Sequence, residues 1–327
     1  MSPIIIVVIG LALIASFFTG IHDSSNFATT ISSRAFSPHT ALIITAIAEF
    51  IGPMVFGVAV AKTIGTDVVS PDAINIQVIV AALLSAILWI LLTWFLRIPS
   101  SYSQALVGGF IGSVLIEAGW QAIQMHGFLT ILIGLFISPL IGFALGWLLL
   151  SLILVLSWNA SPRINNFFKR SQLVSVVAMA LGQGANDSAK SMGMITLALV
   201  IEGYLQSFVV PVWVLVICSA ALALGTGLGG MRLIRTVGGK FFKIHPVDAF
   251  ASQFTSAIVI ISASLLGGPV STTQVVNSSV MGVGAGERVN KVRWNIGLDI
   301  AISWVLTIPA SALLSAGLYW LIIRFLA

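Results

Sequence analysis

Charge is what this chain lacks most. Asp, Glu, Lys and Arg make up 8% of its 327 residues, against roughly 25% in a soluble globular domain. With 58% hydrophobic residues and a mean hydropathy of +1.09, the chain carries more apolar surface than a soluble core of this size hides. A soluble enzyme or a nucleic-acid-binding module is thereby excluded. The net charge of +5 is no nucleic-acid signal, because the basic residues sit in short loops between apolar runs. The single cysteine, Cys218, excludes an intramolecular disulfide and fits core packing. Long alternating stretches are absent too, which argues against a β-barrel. No basic leader or small-residue cleavage site accompanies the first apolar run, so it is read as a retained helix. No resident metal and no cofactor are implied.

What remains is an all-α polytopic protein of the lipid bilayer. Apolar runs fall near 3–34, 40–64, 73–96, 99–118 and 127–157, then near 171–200, 208–230, 246–266, 269–286 and 296–326. Five and five suggest two repeats, residues 1–158 and 171–327, joined by a basic cytoplasmic linker at 159–170. A membrane helix needs roughly 20 residues. The first run of each repeat is longer, and the short 99–118 and 269–286 runs either span or re-enter. An odd number of crossings inverts one repeat relative to the other. With both termini outside, Arg34, Arg163, Lys169, Arg170, Arg232, Arg235, Lys240, Lys243, Arg288, Lys291 and Arg293 fall on the inner side, as the positive-inside rule requires; Arg97 joins them if 99–118 spans and lies deeper if that run re-enters.

Two polar motifs interrupt this apolar background, and each occurs twice. Gly20-Ile21-His22-Asp23-Ser24-Ser25-Asn26 is answered 164 residues later by Gly184-Ala185-Asn186-Asp187-Ser188-Ala189-Lys190. Pro99-Ser100-Ser101-Tyr102-Ser103-Gln104 is answered 170 residues later by Pro269-Val270-Ser271-Thr272-Thr273-Gln274. Pro139 and Pro309 repeat the spacing of 170. Ionisable residues inside a membrane are costly and mark function, and duplicated motifs of this kind mark a transporter with one site between two repeats.

The chemistry of each motif follows from its side chains. Glycine permits a break in the helix, and the freed carbonyls, with the Asp23 or Asp187 carboxylate and the Ser24 or Ser188 hydroxyl, suit Na⁺ or another hard cation. A buried carboxylate also suits H⁺, and either Asp equally caps a helix. The hydroxyls of Ser100, Ser101, Ser103, Ser271, Thr272 and Thr273, with helix N-terminal N–H groups behind Pro99 and Pro269, offer donors to an oxyanion. Ordinary back-bonding of Ser and Thr within membrane helices is the alternative. Lys190 pairs with Asp187, adds charge to the anion site, or snorkels. Glu49 is a cation ligand, a proton site or a structural acid. His22 tunes Asp23 or is a core histidine.

At these residues the chain resembles the inorganic phosphate transporter (PiT) family. GIHDSSN and GANDSAKSMG are similar to that family's paired signatures. VAKTIGTDVVSP, PVSTTQVVNSSVMGVGAG and WVLTIPASALLSAGLY resemble its bacterial low-affinity branch, and the likeness runs nearly end to end. It implies an inverted-repeat fold in the cytoplasmic membrane and import of inorganic phosphate, free or as a neutral metal complex. Coupling to Na⁺ or H⁺ and alternating access follow, and a homodimer is compatible. It implies a cation and phosphate region at Asp23, Asn26, Asn186 and Asp187, and phosphate-cradling tips at Ser101, Ser103, Ser271, Thr272 and Thr273. The chain departs where the family usually has histidine, at Gln104 and Gln274, and where Tyr102 replaces a small hydroxyl residue. Glutamine does not titrate, which leaves H⁺ to Asp23, Asp187 or Glu49, or the coupling role to Na⁺. A narrower cradle keeps sulfate in play as an alternative substrate. An intramembrane aspartyl hydrolase using Asp23 and Asp187 leaves the hydroxyl clusters unexplained, and a passive anion channel is the remaining rival.

Overall fold

A computed structural model describes residues 2–69, 73–96, 100–159, 161, 163–229 and 243–326. Arg97, Pro99, Arg232, Arg235 and Lys240 lie outside the described residues. The fold is all-α. Six helices among the described residues are long and apolar enough to cross a membrane. The first begins as α1 (Pro3–Asp23), passes through a 3-10 turn at Ser24–Phe27 and ends as the short α2 (Ala28–Ser32). Then come α3 (Pro38–Phe56), the one-turn α4 (Ala59–Lys62), α5 (Ile76–Leu96), α6 (Tyr102–Glu117) and α7 (Met125–Leu156). The chain continues through α8 (Ile164–Ile201), α9 (Val212–Leu228), α10 (Pro246–Leu265), α11 (Thr272–Glu287) and α12 (Trp294–Leu326).

Amphipathy does not organise these helices, since lipid and protein interior are equally apolar. Polarity and side-chain size do. The helices in the middle carry small and polar residues, and those outside carry exposed Leu, Ile, Val and Phe, such as Leu140, Leu148, Val305 and Leu313. Lipid-facing surface of that kind needs no polar rim. Helices α6 and α11 are nearly all buried. At 16 residues each they span about 24 Å, short of the roughly 30 Å hydrocarbon core, so each begins inside the protein.

The packing is crosswise. Helix α6 lies along α12, and α11 lies along α7; α1 lies along α9, and α8 along α3. Each of the two short buried helices therefore runs beside a long helix from the other end of the sequence. The long outer helices contain Pro139 and Pro309 within α7 and α12.

The sequence predicts a break, or a strong tilt, in the first run on each side. The break forms once. After Asp23 the serine hydroxyls turn back onto the last turn of α1, Ser24 Oγ to the Ile21 carbonyl at 2.7 Å and Ser25 Oγ to the His22 carbonyl at 2.9 Å, and the backbone tightens to 3-10. At the second motif no break forms: α8 runs unbroken through it. Gly184 is used for approach instead of bending, because a Cβ there would meet the Glu49 carbonyl oxygen of α3 at 2.1 Å.

Candidate functional site

The four motifs meet. Asp23 is the last residue of α1, and across from it Thr273 occupies the first turn of α11. Thr273 Oγ1 donates to Asp23 Oδ1 at 2.8 Å. Asn26 Nδ2, brought back by the 3-10 turn, donates to the same oxygen at 3.3 Å and reaches Thr273 Oγ1 at 3.5 Å. Asp23 Oδ2 is buried and has no protein partner. The Asp23 side chain makes no capping hydrogen bond to the 3-10 turn that follows it.

Asp187 lies in mid-α8 and is buried, facing Asp23 closely enough for the two carboxylates to interact. Lys190, fully buried, donates its ammonium to Asp187 Oδ1 and to the Val270 carbonyl at 3.0 Å. It does not snorkel. Asp187 Oδ2 has no partner. Asn186 fixes the segment before α11: its Oδ1 accepts from the Val270 N–H at 3.2 Å, and its Nδ2 donates to the Gly268 carbonyl at 3.2 Å and to Ser264 Oγ at 3.1 Å. Pro269 thus sits in an extended lead-in and not, as the sequence suggests, in the first turn of the helix. The backbone there is held by side chains of α8 and α6.

From α6, Ser103 Oγ donates to the same Val270 carbonyl at 2.9 Å. Ser101 caps α6, its Oγ accepting from the Gln104 N–H at 3.3 Å. Gln104 Nε2 donates to Gln274 Oε1 at 3.4 Å, so the two helix starts are joined by the residues that stand where the resemblance expects histidine. Gln104 Oε1 and Gln274 Nε2 remain unpartnered, as does Ser100 Oγ. Ser271 and Thr272 are buried beside them. A small cavity between α1, α5, α6 and α11 is lined by Thr19, His22, Asp23, Ser100, Tyr102 and Thr273. Tyr102 closes one side of it, its hydroxyl 3.4 Å from Ser191 Oγ.

Some sequence candidates stand one step away. Glu49 is buried in α3, accepts from Thr226 Oγ1 of α9, and is near enough to feel both Asp23 and Asp187. Ser24 and Ser188 donate to the Ile21 and Gly184 carbonyls of their own helices, leaving only oxygen lone pairs for any ligand. Four participants were not singled out from the sequence. Thr226 and Ser264 are polar residues in apolar runs, Ser191 follows Lys190 within GANDSAKSMG without an assigned role, and Gln183, buried in α8, has neither amide atom partnered. A polar side chain in such a run is the one available signal, and it does not say which neighbour the residue will meet.

Comparison with known proteins places this constellation. The sequence profile of the phosphate transporter family matches residues 19–315. The chain belongs to that family. Among its relatives is a probable low-affinity inorganic phosphate transporter of Rhizobium meliloti (strain 1021), 41% identical over 97% of this chain and 96% of the relative. A protein of the same description from Bacillus subtilis (strain 168) is 40% identical over 97% and 96%. A solved structure described as the sodium-dependent phosphate transporter superposes with a TM-score of 0.90 over 99% of this chain and all of that one, at 24% identity. It is a likeness of fold. In this chain the hydroxyl motifs converge on Asp23 and Asp187.

Proposed function

We propose that this protein is a secondary transporter of the cytoplasmic membrane that imports inorganic phosphate, free or metal-complexed, by alternating access coupled to a cation gradient. The observation that carries the reading is the convergence of the duplicated motifs: one carboxylate of α1 hydrogen-bonded to the hydroxyl tip of α11, the other in α8 tied to the same tip through Lys190 and Val270. Membership of a transporter family displaces the aspartyl hydrolase reading.

In this mechanism the substrate sits where the N-termini of α6 and α11 face one another. The donors are the hydroxyls of Ser100, Ser101, Ser103, Ser271, Thr272 and Thr273, the amides of Gln104 and Gln274, and those of Asn26 and Asn186. Helix N-terminal N–H groups add to them. Asp23 and Asp187, with Glu49 behind, hold positive charge that offsets the charge of the anion in a low-dielectric site. Na⁺ is the favoured coupling ion, supported by the sodium dependence named for the structural relative and by glutamine in place of a titrating histidine. The crosswise pairs α6–α12 with α11–α7, and α1–α9 with α8–α3, support two inverted repeats, residues 1–158 and 171–327. Movement of one against the other exposes the site to each side in turn.

The test is uptake of labelled phosphate into proteoliposomes under an imposed Na⁺ gradient, then an H⁺ gradient, with unlabelled sulfate as competitor. Concentrative uptake that is lost in both Asp23→Asn and Asp187→Asn is expected. Uptake and cation dependence unchanged in both variants would refute the mechanism, and no accumulation against a gradient would point to a passive channel.

A further inference from the structure

The two Asp motifs align residue for residue, and three positions beyond each aspartate they differ in one respect that matters. Asn26 follows Asp23, and Lys190 follows Asp187. The geometry is shared: each side chain donates to Oδ1 of its aspartate, Asn26 Nδ2 at 3.3 Å and Lys190 through its ammonium, and each leaves Oδ2 buried without a partner. The charge is not shared. Among the described residues no Lys or Arg is ion-paired with Asp23, whereas Asp187 has Lys190 against it at 0% exposure.

The surroundings of the Lys190 ammonium are those of a bound ion. A carboxylate oxygen of α8 and the Val270 carbonyl, 3.0 Å away, hold it. Carboxylate and backbone carbonyl oxygens are the ligands a hard cation selects inside a membrane protein. An ammonium is a compact point charge on a flexible stem, and from three residues along the helix it reaches the place such a cation would occupy.

We propose that Lys190 is a tethered cation. It fills at Asp187 the role that a mobile cation fills at Asp23, so the protein carries one fewer coupling cation per substrate than it would with a neutral residue at position 190. The inference rests on the transport reading above. Its consequence is electrical. Lys190→Asn copies Asn26 into the second motif and vacates the position, a Na⁺ takes the place of the ammonium, and that Na⁺ travels with the substrate. A fixed charge is exchanged for a transported one, and the charge moved per phosphate rises by one elementary charge. An ion pair that only braces α8 against the segment before α11 would alter stability or rate and leave this ratio alone.

The experiment compares wild type, Lys190→Asn and Lys190→Arg in proteoliposomes, measuring the reversal potential of labelled-phosphate flux at set Na⁺ and phosphate gradients. Lys190→Asn is expected to move one more charge per phosphate than wild type, and Lys190→Arg the same as wild type. In parallel, melting of each purified protein in detergent is followed in Na⁺ and in choline at equal ionic strength. Lys190→Asn is expected to gain more from Na⁺ than wild type does. An unchanged ratio in Lys190→Asn overturns the proposal. If that variant carries no phosphate, a Na⁺ shift in melting no larger than that of wild type overturns it. Absence of phosphate flux in wild type under every gradient would instead remove the transport reading, and the melting comparison would still decide the role of Lys190.

Discussion

Thr273 and Asp23 are far apart in sequence and 2.8 Å apart in space, and their hydrogen bond joins a hydroxyl tip to a carboxylate. A hydrogen bond to a charged group contributes about 1.5–3 kcal/mol, so Thr273→Val is expected to weaken the cation requirement at Asp23 by roughly 10- to 100-fold. The readout is the Na⁺ concentration giving half-maximal phosphate uptake, with Thr273→Ser restoring it. If Thr273→Val leaves that concentration in place, the hydrogen bond does not bear on cation binding. At this scale the sequence is a good guide to which residues matter and a poor one to what they touch. Asp23, Asn26, Ser103, Asp187 and Lys190 are conspicuous because they are polar in apolar runs, and all of them are at the convergence point. That Val270 would offer its carbonyl to both Ser103 and Lys190 is invisible, since a backbone group carries no letter.

At the scale of elements, the crossing of α3 and α8 decides how close Glu49 comes to the centre. Gly52 and Gly184 face each other's helices without a side chain, and a Cβ at either would lie 2.1 Å from a carbonyl oxygen of the other helix. Gly184→Ala is therefore expected to force α3 and α8 apart and to destabilise the protein by about 1–3 kcal/mol, seen as a lowered melting temperature in detergent. Equal melting of variant and wild type would mean that the crossing relaxes freely. Ser101→Ala removes the side-chain cap of α6, worth about 1 kcal/mol; the same melting assay reports it, and Ser101→Asn should recover most of the loss. The break after Asp23 and the continuity of α8 show where sequence reading stops. Both motifs begin with glycine and carry serine after the aspartate, and the local code alone does not separate them. Nor does the glycine contact separate them, since α9 presses on Gly20 as closely as α3 presses on Gly184.

The whole molecule is held together crosswise. Helix α6 needs α12 as a wall, and α11 needs α7, so neither proposed repeat encloses its own short helix. Residues 1–158 or 159–327 expressed alone are expected to aggregate or be degraded. The two fragments expressed together are expected to assemble in the membrane and regain phosphate uptake, the opening falling next to the exposed Trp158 and Asn159 after α7. A stable, monodisperse single fragment would contradict this interlocked arrangement. The count of apolar runs and the duplicated motifs are what suggest the two proposed repeats. Which run packs on which is not legible, because in lipid every apolar face is acceptable to every other.

Val270 has one more consequence. Its N–H is taken by Asn186, and its carbonyl is shared by Ser103 of α6 and Lys190 of α8. The N–H lies in the peptide plane shared with Pro269 and the carbonyl in the plane shared with Ser271, so each of the two planes that meet at the Val270 Cα is pinned. Turning the second plane releases Ser103 and Lys190 together, because one oxygen serves both. Helices α6 and α8 consequently let go of the lead-in to α11 in a single step.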